Sequence, residues 1–420
     1  MEERTAMGYR GLAKKPILAW ALVAIVARLP IAIAPLGLVF LVRERAGGYS
    51  LGATLAAAYV VGEVVGALLI GTRPFSRRSS AISLGLGLGA VSFGLLALVP
   101  SAPDPFLVGL AGIAGAAPAA SPGGMRTMLT RLVDESAVAS ALSAESTLTQ
   151  AIWAVAPGLA VSLALWSGAS SPMALAAVCM AAAALTLPLL RGDGRTAATA
   201  SKSSTQVSRH AGRLLAAWPI YLTSAASMAL LSAAELILTP LLEFRQFQTG
   251  WAGVLLTVFS VSSAVGAFFY GLRKWPGSVR VQSLVLLVVM SGCVALIAVA
   301  PGLVGIAIVL VVGGLSQAAV AVTRNLSLRE SLPESAHTAG YSVMYAVQGI
   351  GYTLTATLTA LVLASFSPVT AMVGAAVLTL LLTVASALAE LRIRHRGNGS
   401  EQEAELATAR AGACEEPGPG

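Results

Sequence analysis

Four charged side chains sit inside long apolar runs of this sequence, and these are its first candidates for chemistry. Arg28 lies near the middle of the apolar run 16–42, and Glu63 near the middle of 50–72. Glu145 falls in the first two turns of 139–166, and Glu235 toward the far third of 214–242. A charge in such a run is expensive, so each marks either a solute or ion pathway or a structural clamp. Arg28 and Glu63 stand at similar depth on what would be neighbouring antiparallel helices, so they can pair. Paired, they form a clamp with both charges satisfied; unpaired, Glu63 is free to carry a proton. Glu235 precedes Pro240 by five residues, and a proline there frees a backbone carbonyl and bends the helix. Glu235 is the leading candidate for contact with a proton or a cationic solute; the competing reading is a carboxylate reaching into an outer vestibule. Gln150, Gln317, Tyr345 and Gln348 complete the interior polar set. Amides and phenols at such depth bind polar solutes, but more commonly they tie helices together.

Other chemistry is missing. No Gly-Lys-Ser/Thr phosphate-cradling loop occurs, so ATP is not expected to power the protein directly. His210, His337 and His395 fall in loops or at span ends, and Cys179, Cys293 and Cys414 have no metal-ligand spacing. No catalytic constellation, metal site or cofactor is expected, and the chain does not read as an enzyme. Its net charge of +8 does not point to nucleic acid, because the basic residues sit in the breaks between apolar runs.

The elements that must hold these residues follow from composition. Of 420 residues, 56% are hydrophobic and 11% charged, and the mean hydropathy is +0.80. A soluble domain is roughly a quarter charged; here lipid must cover the exterior. Twelve spans can be marked: 16–42, 50–72, 80–100, 105–126, 139–166, 172–190, 214–242, 249–272, 280–300, 302–323, 337–366 and 368–391. The first is too long for a cleavable signal peptide. With the N-terminus placed in the cytoplasm, 23 of the 27 Lys and Arg fall on the cytoplasmic side. Three, Arg43, Arg45 and Arg245, fall on the other, and Arg28 is left inside a span. The fold class is therefore an all-α membrane protein of 12 transmembrane helices. Its expected divisions are a cytoplasmic N-terminus (1–15), a six-helix half (16–190), a polar linker (191–213), a second six-helix half (214–391) and a disordered cytoplasmic tail (392–420).

The halves repeat. At a shift of 200, Gly66, Gly71 and Arg73 fall on Gly266, Gly271 and Arg273. At 198, Gly115, Arg126 and Arg131 fall on Gly313, Arg324 and Arg329; at 199, Glu135-Ser136-Ala137 falls on Glu334-Ser335-Ala336. Two parallel six-helix repeats enclose a solute site near the midplane in known transporter architectures. Pairs of small residues four apart, Gly62/Gly66, Gly85/Gly89 and Gly158/Ser162, mark expected close helix contacts.

With this architecture the chain resembles the major facilitator superfamily over nearly its whole length. That family's Gly–Asp–Arg–Arg loop between spans 2 and 3 corresponds to GTRPFSRRSS, Gly71 to Ser80, where Arg73, Arg77 and Arg78 are kept and Phe75 stands in place of the aspartate. The second-half equivalent begins at Gly271 and Arg273 and is similarly eroded. Ala156-Pro157-Gly158 is similar to a weakened form of the glycine–proline motif of the family's drug exporters. The arginine that proton-coupled exporters carry inside span 4 has no clear counterpart, Arg126 being read at the cytoplasmic end of that span. The resemblance implies secondary transport of a small solute through rocking halves. Few polar groups line the expected bundle, so the solute is expected to be amphipathic or hydrophobic, with efflux favoured. Uptake of a small metabolite, or a sensor or scaffold derived from a transporter, are the alternatives. Expected partners are membrane lipid, the small-molecule solute and protons, with no nucleic acid and a monomer as the working unit. Arg73, Arg126, Arg273 and Arg324 are read as loop anchors that could also act as gate residues, with Asp134, Glu135 and Glu334 as acidic partners.

Overall fold

The computed structural model describes residues 14–45, 48–72, 79–190, 207–248, 250–273, 275–363 and 365–389, and among these the regular structure is helical. Among the described residues, twelve helices are long and apolar enough to cross a bilayer. The first half holds α1 (Lys15–Val42), α2 (Gly48–Leu69), α3 (Ser79–Leu98), α4 (Asp104–Leu132), α5 (Glu135–Trp166) and α6 (Ser171–Leu190). The second holds α7 (Trp218–Phe244), α8 (Trp251–Leu272), α9 (Val279–Ile297), α10 (Gly302–Ser331), α11 (Glu334–Leu363) and α12 (Pro368–Ala389). Hydrocarbon offers backbone groups no water, so each span satisfies its own hydrogen bonds as a helix. Prolines in the first turn of α1, α4, α6 and α7 use positions whose N–H has no helical partner. Gly168, Gly277 and Gly302 end or join spans at φ +107°, +83° and +62°, a region glycine enters freely. Leucines and valines such as Leu84, Leu185 and Val304 are about three-quarters exposed, as lipid-facing side chains should be.

The twofold repeat is visible in packing. Gly66 of α2 lies against the Ala116 carbonyl of α4, and Gly266 of α8 against that of Leu315 in α10. Gly115 faces the Tyr59 carbonyl, and Gly314 the Phe259 carbonyl. A side chain at any of the four would drive into backbone, so the crossings of α2 with α4 and α8 with α10 require glycine. These contacts equate Gly115 with Gly314, a shift of 199, and correct the match to Gly313. Gly62 meets the Gly112 carbonyl, Gly85 that of Ala117, and Gly89 the Met180 side chain. Gly158 has nothing within 4 Å, so the Gly158/Ser162 spacing is not a packing surface. Arg45 and Arg245, 200 apart, each grip two carbonyls at the end of the third helix of their half: Pro100 and Ala102 for Arg45, Ala298 and Ala300 for Arg245.

Four spans are longer than hydropathy indicates. α4 and α10 run on to Leu132 and Ser331, while α5 and α11 start at Glu135 and Glu334. The extra turns carry Arg, Asn, Ser, Thr and Glu, which end an apolar window early, although several of these groups are buried, Arg324, Asn325 and Ser327 among them. Arg126, Arg131, Arg324 and Arg329 are thus helix residues and not loop residues. α4 also contains a 3-10 stretch at Ala117–Ala120, around Pro118. Within the expected linker 191–213, residues 191–206 lie outside the described residues, while Val207–Ala216 is a helix. Arg73, Arg77 and Arg78 also lie outside them, as do residues 1–13 and 390–420.

Candidate functional site

The buried centre of the first half is a carboxylate shared by two guanidinium groups. Glu145, in the third turn of α5, is 1% exposed. Its Oε1 accepts from Arg28 Nη2 of α1 and, at 2.8 Å, from Arg126 Nη2 of α4; its Oε2 accepts from Arg126 Nε at 3.1 Å. Arg28 Nη1 also donates to Thr149 Oγ1 at 2.6 Å, one turn along α5. Two cations around one anion leave one positive charge in excess, spread over a fork geometry that fixes α1, α4 and α5 together.

This network crosses to the other half. Arg126 Nη1 donates to Asn325 Oδ1 of α10 at 3.1 Å, and its guanidinium lies 5.3 Å from the Tyr341 ring centroid on α11. At the shift of 199 that the glycine contacts establish, Arg126 and Asn325 are equivalent positions, so the bond joins the repeats near their common axis. One turn deeper on α11, Tyr345 Oη donates to Glu63 Oε1 of α2 at 2.5 Å. Gln150 Nε2 of α5 donates to Ser263 Oγ of α8 at 2.6 Å.

Nearer the helix ends, a pair of ion bridges repeats the symmetry. Arg131 Nε of α4 meets Glu334 Oε1 at the start of α11 at 2.9 Å, and Arg329 of α10 meets Glu135 at the start of α5 at 2.5 and 2.8 Å. Ser140 Oγ donates to the Gly271 carbonyl at 2.9 Å. Gly71 and Gly123 lie against Ser342 of α11. Val138 and Leu142 of α5 pack with Tyr270, Ala319 and Val322, and Ala67 and Ala119 with Ala346. These contacts lie between the midplane and the face at which α1 begins, hereafter the arginine-rich face. The halves are closed there.

Beyond the midplane lies a second level. Trp153, Glu235 and Tyr352 each stand 17 or 18 residues from the arginine-rich end of α5, α7 and α11, about 26 Å at a rise of ~1.5 Å. Tyr352 Oη donates to Glu235 Oε2 at 2.8 Å. Trp153 is 48% exposed. Leu142 and Ser146, eleven and seven residues before it on the same stripe of α5, are buried beneath it. The stripe that closes the bundle below is therefore open at Trp153, toward the space between the halves.

A family model described as Major Facilitator Superfamily matches residues 20–276, more than half of the chain. The chain belongs to that superfamily. It is a multi-pass membrane transporter and not an enzyme. No curated protein sequence matches this facilitator. Among solved structures it is similar to FucP in an outward conformation (TM-score 0.66, 16% identity, 90% of this chain and 99% of that chain), a protein described for E. coli as a fucose:proton symporter. It is also similar to the human organic anion transporter TETRAN (TM-score 0.61, 15% identity, 91% and 99%). These likenesses establish the facilitator fold.

Within that fold, three expectations change. Arg28 pairs with Glu145 and not Glu63, because the rotation of α1 turns it toward α5; Glu63 instead reaches α11. Arg126 lies inside α4, which runs on to Leu132, and not at the end of the span. The acidic residues Glu135 and Glu334 do bind arginines, but these are Arg329 and Arg131. Arg324 donates to Ser283 Oγ and Thr223 Oγ1, both in its own half. Arg273 is exposed in the break after α8. Gln317 is 2% exposed and its Oε1 makes no hydrogen bond; Gln348 is half-buried on α11 between Tyr345 and Tyr352. Sequence reasoning missed Thr149, Asn325 and Trp153. Asn325 could have been found from the shift of 199, which places it on Arg126.

Proposed function

We propose that this facilitator carries a small amphipathic or hydrophobic solute across the cytoplasmic membrane by alternating access, with export as its direction. Residues 16–190 and 214–391 act as the two moving bodies, joined by 191–213. The arginine-rich face is cytoplasmic, in keeping with the distribution of Lys and Arg, and both termini lie on it. The observation that carries this reading is the one-sided closure: side chains of the two halves bind one another from the midplane to the arginine-rich face, while Trp153 is open above. That is what one end of an alternating cycle, open outward, requires.

Glu63 is the coupling residue in this reading. Its carboxylate bridges the halves through Tyr345 with no basic partner of its own, so gaining a proton there changes the charge of the closed interface. Glu145 is held by two arginines and serves as a fixed strut. The apolar character of the spans suits a solute with a large hydrocarbon surface.

The test is accumulation. Cells overproducing the protein should hold less of at least one amphipathic compound from a broad panel, and Glu63→Gln should cancel the difference. Unchanged accumulation across the panel, with the protein folded in the membrane, contradicts the proposal.

A further inference from the structure

We infer that the solute carries a positive charge, and that it is bound between the indole of Trp153 in the first half and the carboxylate of Glu235 in the second. This deepens the transport reading and rests on it. Three observations carry it.

The first is the charge that a solute can reach. Arg28 is 7% exposed and Arg126 has a side chain 14% exposed, and both are committed to Glu145. Glu235 is half-buried, and its partner Tyr352 is a neutral phenol. A carboxylate within a span and without a cation is costly, and a cationic solute removes that cost.

The second is depth. Trp153, Glu235 and Tyr352 stand at one level, on helices from both halves, directly above the closed interface. A ligand held there touches both moving bodies, which is the condition for its binding to bias their equilibrium.

The third is the pairing of group types. An exposed indole inside the bundle offers a flat apolar face that attracts cations, the more strongly the less water surrounds it. A carboxylate at the same level supplies the charge. Together they fit a delocalised or quaternary cation with aromatic or aliphatic substituents, for which a strongly hydrated ammonium is a poor substitute.

The experiment compares three lipophilic phenyl-substituted probes of different charge on the detergent-purified full chain: tetraphenylphosphonium, tetraphenylborate and the neutral triphenylphosphine oxide. Equilibrium binding should favour the phosphonium at least tenfold over the other two. Glu235→Gln should weaken the phosphonium about tenfold and leave the borate unchanged. Trp153→Ala should weaken it, with Trp153→Phe restoring most of the affinity; melting temperatures near wild type establish that the variants are folded. Equal affinity for the three probes, tighter binding of the borate, or no effect of Glu235→Gln overturns the inference. If the accumulation assay then still shows export of a neutral or anionic compound, the transport reading survives without it; if no compound is exported, the transport reading itself has failed.

Discussion

Arg126 and Asn325 occupy equivalent positions in the two repeats and are bonded to each other, Nη1 to Oδ1 at 3.1 Å. A bond between equivalents must lie close to the twofold axis that relates the halves. Arg126 therefore holds Glu145 on its own side and reaches across to the equivalent position of the partner half. Replacing Asn325 by Leu removes the acceptor while leaving Glu145 to neutralise Arg126. The expected result is a small loss of thermal stability and a clear rise in the population open at the arginine-rich face.

Removing Glu145 should be far more damaging. Glu145→Gln strands two buried arginines, and breaking a buried pair in this way costs about 3–5 kcal/mol. The melting temperature in detergent should fall sharply. Adding Arg28→Gln to Glu145→Gln should restore part of it, since one fewer charge is left unpaired. Equal stability of the single and double variants would contradict this account of the network.

In the proposed cycle the bridges Arg131–Glu334 and Arg329–Glu135 form a weak double latch. Each has a carboxylate mostly exposed to solvent, at 69% and 80% of its side chain, so each is worth only about 0.2–1 kcal/mol and weakens with salt. Arg131→Gln together with Arg329→Gln should raise the alkylation rate of a cysteine placed at the buried Ser342 by roughly two- to tenfold. High salt should produce part of the same increase in the wild-type gate.

Gly123 tests the close approach of the halves without touching a charge. Its missing side chain leaves room for the Ser342 amide and the Thr338 carbonyl, which a Cβ would meet at 3.1 and 3.2 Å. Gly123→Val should disfavour closure at the arginine-rich face and slow transport, with helix content unchanged by circular dichroism.

Much of the fold was legible because hydrophobic length and small residues act locally. Gly66, Gly266 and Gly115 announce helix crossings in sequence, and all three are pressed against a backbone carbonyl. Partner choice was less legible. Arg28 and Glu63 match in depth, but depth does not fix rotation, and α1 turns Arg28 toward α5. Span ends were misread where polar residues such as Arg126 and Arg324 are neutralised or hydrogen-bonded within the bundle, since hydropathy registers the polar atom and not its partner. Trp153 gave no signal because an aromatic in a span reads equally as lipid-facing; only the buried stripe beneath it, Leu142 and Ser146, shows which way it points.

In the proposed cycle the chain closes at the arginine-rich face when it opens at the other. Spin labels at Ser136 and Glu330, exposed on the arginine-rich face, and at Glu44 and Glu243, at the opposite ends of α1 and α7, report the two sides by pulsed distance measurement. In the Arg131→Gln, Arg329→Gln variant, compared with the wild-type gate, the account predicts a reciprocal change: the 136–330 distance lengthens while the 44–243 distance shortens. Lengthening at the arginine-rich face with no movement at the other side, or no change at either, would contradict it.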